Sequence, residues 1–423
     1  MRDPRVKFVT PLLILLVAGV LTSPPALAYW ELVPRVEGGI TTETNPYNRV
    51  ETQSYDSATG GFADFRLDSS YRTPRDVITL VPRFRTYQYT GSNGRLDDDD
   101  YSIDLNASHQ WDTASGSLQA GYRNNGIRTS EFNTVTPDQY TNDTQETWSF
   151  GPSLSYTLSA LDSLQLAADY SDITFNASPQ AGYFDYTNSS VQATWIHGFS
   201  QKTSALFSVN GGKFKANNPY GPAENNYQPS ENNTDSLGGT IALEHKLSPT
   251  VTATITAGSS HSTQDIKGIY YDPYNPGYLC PTFPFALCSI SQSSNNFVGG
   301  ITLSQASEVM TTTFDYSQSQ APRSNGTSVV SESFRLNFQR TLSQRLNGSV
   351  NLLYASDSAL GNYGRQDRRY YSGNAALRYR LTQTLTVSGS YNYSVNDDDA
   401  NSAEQKDNRL FLSLIYTGVG IRR

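Results

Sequence analysis

The sequence predicts an all-β fold, an antiparallel transmembrane β-barrel of about 18 strands, with short periplasmic turns and long extracellular loops. Three observations lead there. Apolar residues alternate with polar ones at period two through about eighteen segments of roughly 12–15 residues, whereas helical spacing fits almost none of them. The connections between segments alternate between short turns and long polar loops. The chain also holds 28 Tyr and 18 Phe against 2 Met, 2 Cys and 4 His, a usage that suits strands.

Residues 1–28 read as a secretory signal peptide that is cleaved. Arg2, Arg5 and Lys7 precede an apolar run from Phe8 to Leu21, and Ala26-Leu27-Ala28 offers a small-x-small cleavage site. An uncleaved N-terminal anchor is the alternative. No later run approaches the ~18 apolar residues a membrane helix needs, so any crossing must use strands. Residues 29–423 carry no linker or shift in composition and are expected to form one barrel domain. Trp30 opens the first segment almost at the cleavage site, which leaves no room for a plug domain ahead of the barrel. The net charge of −8 gives no reason to expect nucleic acid as a partner.

The stretch FRLNFQRTLSQRLNGSVNLLY (334–354) shows the pattern well. Phe334, Leu336 and Phe338 alternate with Arg335, Asn337 and Gln339. After the break LSQR, Leu346, Val350, Leu352 and Tyr354 alternate with Asn347, Ser349 and Asn351. Similar hairpins surround turns near 73–76, 112–115, 159–162, 200–203, 247–250, 305–308 and 382–384. Longer loops are expected near 43–58, 91–99, 129–144, 176–184, 217–233, 265–292, 321–327, 359–367 and 397–406. Both termini then fall on the short-turn side. A soluble sandwich would hide each apolar face against a second sheet, using strands of about 5–6 residues. These strands are too long and too numerous for that, so hydrocarbon is the expected solvent for one face and water for the other. A secreted β-helix or adhesin is the competing architecture, but it has no need of alternating loop lengths.

Two stretches carry a resemblance. YWELVPRVEGGITTETNPYN (29–48) resembles the opening of a family of outer-membrane β-barrel porins found with exopolysaccharide operons and the PEP-CTERM/exosortase system. GRQDRRYYSGNAALRYRLTQTLTVSGSYNYSVNDDDANSAEQKDNRLFLSLIYT (364–417) is similar to that family's closing strands: an Arg-Asp-Arg lead-in, a YRLTQTL turn, a Tyr-rich strand, an acidic loop and a Leu-alternating last strand. The resemblance covers both ends by motif and the middle by pattern. It implies an outer-membrane channel associated with exopolysaccharide export in a Gram-negative bacterium. Such barrels usually end on an aromatic residue, and here Tyr416 is followed by Thr-Gly-Val-Gly-Ile-Arg-Arg; either Tyr416 is the terminal signal or assembly differs.

Parity places Asp64, Arg66, Asp68, Arg83, Arg85, Asp104, Arg123, Asp169, Asp315, Arg335, Arg378 and Arg380 on the lumen face. The arginines cluster on the second and third strands and on the fourteenth to sixteenth. They form either a lining that attracts acidic solutes or charge-paired wall residues that only solvate the lumen. Tyr87, Tyr89, Tyr270, Tyr271, Tyr274 and Tyr393 suggest sugar stacking, and interface girdles or loop packing explain them as well. Cys280 and Cys288, close together in the longest loop of an exported chain, are expected to form a disulfide. Asp97–Asp100 reads as a solvated loop tip rather than a Ca²⁺ site.

His109, His197 and His245 fall near the short-turn rim and His261 near the outer side. None has a nucleophile motif beside it, so no enzyme, cofactor or metal is expected. The function predicted is a non-enzymatic outer-membrane channel tied to exopolysaccharide export. The alternatives are a general porin for small polar or anionic solutes and a structural or adhesive barrel. Expected partners are outer-membrane lipid and lipopolysaccharide, with polysaccharide and periplasmic export proteins implied by the resemblance.

Overall fold

The computed structural model describes residues 28–46, 57–90, 96–126, 144–176, 185–217, 228–269, 287–322, 328–359, 368–398 and 404–422. Among the described residues there is no helix, and the strands form one sheet. In chain order they are β1 (Tyr29–Glu43), β2 (Ala58–Arg72), β3 (Asp76–Thr90), β4 (Asp98–Gln110), β5 (Ala114–Gly126) and β6 (Thr144–Thr157). Next come β7 (Asp162–Asn176), β8 (Asp185–Gly198), β9 (Thr203–Asn217), β10 (Gln228–Ser248), β11 (Val251–Ile269) and β12 (Leu287–Ala306). The last are β13 (Met310–Pro322), β14 (Ser328–Thr341), β15 (Leu346–Ala359), β16 (Arg368–Arg380), β17 (Leu385–Asp398), β18 (Gln405–Thr417) and the two-residue β19 (Ile421–Arg422).

Each of the eighteen long strands pairs antiparallel with its sequence neighbours, and β1 pairs with β18, so they close into a barrel without an edge. The closing register sets Val36 opposite Tyr416, Gly38 opposite Leu414 and Ile40 opposite Leu412. β19 continues the β18 ladder along the N-terminal end of β1, where Arg422 Nε donates to Glu31 Oε1 at 2.9 Å. Tyr416 therefore sits near the end of the closing strand, and the residues after it add a short strand beside β1.

On most strands one parity is apolar and exposed. Leu410, Leu412, Leu414 and Tyr416 on β18, Ile40 on β1, Phe65 and Leu67 on β2 and Ile103 on β4 all point away from the barrel axis, each more than a third exposed. Direct pairing sets Val36, Phe65, Phe84 and Tyr101 in one row across four strands. The rings stack at 6.5 Å between Phe65 and Phe84 and 6.0 Å between Phe84 and Tyr101. A second row, Tyr316, Phe334, Tyr354 and Tyr371, has centroids 4.6, 5.8 and 5.0 Å apart. A belt of such side chains around a whole barrel far exceeds the few hundred Å² of apolar patch a soluble surface tolerates, so hydrocarbon is its solvent.

The short turns share one device. The hydroxyls of Thr73, Ser159, Ser200, Ser343 and Thr382 each accept the backbone N–H groups two and three residues on, and Ser248 and Ser307 each accept one of them. A Ser or Thr at the first turn position satisfies donors that the tight reversal leaves without a ladder partner. Only the turn at 111–113 lacks it, where Trp111 N instead donates to Ala114 O at 2.8 Å.

The loop boundaries expected from sequence need correction on one flank. β4 begins at Asp98, β10 at Gln228 and β12 at Leu287, while β11 runs on to Ile269. β10, β11 and β12 reach 21, 19 and 20 residues. Their outer ends carry Glu231, Asn233 and Asp235 on the outward face, paired in part with Lys213, Lys215 and Lys267. Beyond the lipid both faces of a strand meet water, the apolar alternation vanishes, and the sequence there looks like loop.

Candidate functional site

The interior face carries the polar parity. Its side chains are buried toward the long-loop end, including Thr41, Glu43, Tyr89, Phe175, Ala216, Thr234, Ser262, Val329, Arg368 and Gln405. Nearer the short turns most are half-buried or exposed, with Thr194, Ala242 and Ile415 buried among them.

Two walls hold the arginines. On β2–β5, Asp64 sits between Arg83 and Arg85. It accepts Arg83 Nε at 3.0 Å and Arg85 Nε at 3.0 Å, and Arg83 Nη2 also donates to it. Arg85 Nη1 donates onward to Tyr87 Oη at 2.9 Å. Arg66 Nε donates to Asp68 Oδ1 at 2.6 Å, and Arg123 Nη2 to Asp104 Oδ1 at 2.9 Å. Arg66, Arg83, Arg85, Asp104 and Arg123 border a recess of about 580 Å³ together with Asp100, Asn106 and Gln119. Four guanidinium groups thus share their wall with the four carboxylates of Asp64, Asp68, Asp100 and Asp104, and the patch is close to charge-balanced. Charge-assisted pairs of this kind fix side chains in place and leave little field over.

The β13–β16 wall differs. Asp315 lies directly opposite Arg335 in register, yet its carboxylate accepts the Thr302 hydroxyl at 2.8 Å. Among the described residues Arg335 and Arg378 form no ion pair, and Arg380 Nη2 donates to the Gln344 carbonyl at 2.8 Å. All three are exposed on the interior face. Asp169 is exposed on β7, which stands nine strands from β16 and so lies across the barrel; among the described residues it too has no ion pair. Among the described residues, three guanidinium groups on the β14–β16 wall thus lack an ion-pair partner, with the likewise unpaired Asp315 beside them on β13 and the unpaired Asp169 across the barrel.

A cluster at the closing seam was not among the residues singled out from the sequence. Glu43 on β1 pairs with Arg409 on β18, and Asp407 Oδ2 lies 3.5 Å from Arg409 Nη2. The backbone N–H of Asn45 donates to Asp407 at 3.2 Å, and the Tyr89 hydroxyl reaches Glu43 at 3.5 Å. Glu43 and Asp407 are 1 % and 2 % exposed, so this interaction is desolvated and ties the first strand to the last. Parity alone would have pointed both residues inward, but Glu43 falls at the edge of the loop expected at 43–58 and Asp407 just past the one expected at 397–406.

Tyr87 and Tyr89 are buried inside the barrel rather than in a girdle. They pack with Phe62 and Phe411, the Phe62 centroid lying 5.8 Å from Tyr87 and 5.9 Å from Phe411. Gly60 makes room for them: a Cβ there would stand 2.9 Å from Tyr89 Cδ1 and 2.5 Å from the Gln88 carbonyl. Tyr393 faces outward. Tyr270, Tyr271, Tyr274 and Cys280 lie outside the described residues, and so does the expected disulfide, since Cys288 is placed by its backbone alone, opposite Gly268.

The Asp97–Asp100 run is not a loop tip. Asp98 opens β4, Asp97 accepts the Tyr89 N–H at 2.8 Å, and Asp100 accepts the Gly126 N–H at 3.1 Å. The four histidines stand on the outer surface. At the short-turn rim His109 bonds Asp76 at 2.5 Å, His197 bonds Asp162 at 2.8 Å and His245 bonds Thr203 at 2.9 Å. On the loop side His261 bonds Asn295 at 2.8 Å. Each partner lies directly across the ladder from its histidine, in the interfacial zone where aromatic and polar groups meet.

Even strand number, closure, a lipid-facing belt, a polar interior and unequal rims define the class of protein: this chain is an outer-membrane β-barrel. No family model matches it, and neither does any curated protein sequence. Among solved structures it is similar to the ferric-catecholate import receptor Fiu from E. coli K12, at 9 % identity and a TM-score of 0.46, covering 90 % of this chain and 81 % of that one. It is also similar to the siderophore receptor PirA from Pseudomonas aeruginosa (10 % identity, TM-score 0.43, 92 % and 80 % covered). A third similar structure is OccAB3 from Acinetobacter baumannii (11 % identity, TM-score 0.42, 93 % and 99 % covered).

Proposed function

We propose that the barrel is a passive, non-enzymatic channel that conducts acid-bearing exopolysaccharide across the outer membrane of a Gram-negative bacterium. The observation that carries this reading is the set of three interior arginines, Arg335, Arg378 and Arg380, that have no carboxylate partner among the described residues while those on β2–β5 do. A solute carrying carboxylates gains attraction along the β14–β16 wall, where three positive charges outnumber the carboxylate of Asp315, and the β2–β5 patch, being balanced, adds little. An eighteen-stranded barrel has the girth for an aqueous path. The polysaccharide assignment draws its support from the resemblance of residues 29–48 and 364–417 to exopolysaccharide-linked barrels.

Protein refolded into planar bilayers is expected to give discrete conductance steps, and liposomes containing it are expected to swell in oligogalacturonate faster than in neutral oligosaccharide of equal length. Absence of conductance would contradict the channel. Equal swelling rates would favour a general porin, in which the arginines only solvate the wall.

A further inference from the structure

Four asparagines lie in direct register on the interior face of four successive strands. Asn337 on β14 is opposite Asn351 on β15, Asn351 opposite Asn374 on β16, and Asn374 opposite Asn392 on β17. We propose that this row is a track for the hydroxyls of a polysaccharide chain, with Arg335 and Arg378 flanking it as contacts for carboxylates on the same chain. The inference rests on the channel reading and names what the wall would recognise.

A structural role does not explain the row. Asn is disfavoured in strands, and Ser or Thr would solvate the wall as well at lower cost. Stacked asparagines in fibrils earn their place by bonding to one another. Here none of the four bonds another, and among the described residues Asn337, Asn351 and Asn392 make no side-chain hydrogen bond. Asn374 Nδ2 reaches only the Tyr391 carbonyl, at 3.5 Å. Asn337 and Asn351 are exposed. The primary amides thus stand toward the lumen with donors and acceptors to spare.

The chemistry suits a sugar. An amide offers two N–H donors and a carbonyl acceptor, so it can meet a hydroxyl in either sense. Adjacent strands are ~4.8 Å apart, which sets successive amides about one hexopyranose ring from the next. Strands of such barrels tilt by roughly 35–45°, so a row of directly opposed residues climbs the wall obliquely rather than circling at one depth. It runs from a recess of about 270 Å³ bordered by Asn337, Asn351 and Arg378 toward Arg409, which is opposite Asn392. A linear chain following it would keep one face on amides while Arg335, two residues up β14, and Arg378, four residues down β16, take its acidic groups.

The test measures binding and conduction separately. Tetragalacturonate and maltotetraose are titrated into detergent-solubilised protein by calorimetry, and each is added to single channels in a bilayer. Wild-type protein is expected to bind both, the acidic tetramer more tightly. Asn337→Ala/Asn351→Ala/Asn374→Ala, and Asn351→Ala alone as a milder variant, are expected to weaken both ligands, the triple variant at least tenfold. Unit conductance in KCl and heat-modifiable mobility should remain unchanged. Arg335→Ser/Arg378→Ser should remove the preference for tetragalacturonate and leave maltotetraose alone. Binding that is indifferent to the asparagine changes, or that falls equally in a Ser349→Ala/Ser390→Ala control, would overturn the track. Channels that conduct but are never blocked would also overturn it while sparing the channel. Protein that binds in micelles but does not conduct would overturn the channel while sparing the track.

Discussion

Leu412→Arg is expected to lower barrel stability by about 2–4 kcal/mol when unfolding by urea is followed in lipid vesicles, the cost of a cation placed near the bilayer midplane on the lipid face. Leu412 sits mid-belt between Leu410 and Leu414, 47 % exposed, with Ile40 and Gly389 as its direct neighbours. The matched control is Gln339→Arg, an exposed interior position where the new charge keeps its water. There the change should stay within about 0.5 kcal/mol, as for ordinary solvated sites. Equal effects at the two positions would mean that the two faces of the wall see the same solvent.

The second large effect concerns charge rather than stability. Changing Arg335, Arg378 and Arg380 together to Ser should lower the anion-to-cation permeability ratio at least about fivefold at low salt, the effect of even one unit charge worth roughly 1 kcal/mol to an ion about 4 Å away in water. Reversal potentials in a KCl gradient read this directly. The shift should shrink as salt rises toward 1 M, where screening acts within about 3 Å. Asp169→Asn should move the ratio the other way. Arg123→Ser paired with Asp104→Ser should barely change it, because that pair is balanced already. A ratio that ignores the β14–β16 triple change would assign those arginines to solvating the wall.

The sequence revealed the fold where lipid enforces a rule. Segments such as Leu385/Val387/Tyr391 and Leu410/Leu412/Leu414 had to alternate because one face meets hydrocarbon, and the hydroxyl-led turns at TPRD, SALD and TQT had to satisfy their own amides. Where the bilayer ends the rule lapses, which is why the outer ends of β10, β11 and β12 read as loop. The site was half legible for a related reason. Parity says which face a residue occupies but not which neighbour it meets, and that depends on register. Asp64 meets both Arg83 and Arg85, whereas Asp315, directly opposite Arg335, turns instead to Thr302. The asparagine row is likewise invisible until the registers of four strands are aligned, and Glu43 and Asp407 meet only because the first strand pairs with the last.

Alternate-residue labelling in vesicles is the most direct test of the central claim, that each strand stands between lipid and water. Single cysteines would be placed at 335 through 339 in a Cys280→Ser/Cys288→Ser background and coupled to an environment-sensitive fluorophore. Labels at 336 and 338 should be quenched by brominated acyl chains and shielded from iodide, and those at 335, 337 and 339, which are exposed on the interior face, should show the reverse. Labels that all answer to iodide, or that answer to the two quenchers without alternation, would contradict a membrane-spanning barrel.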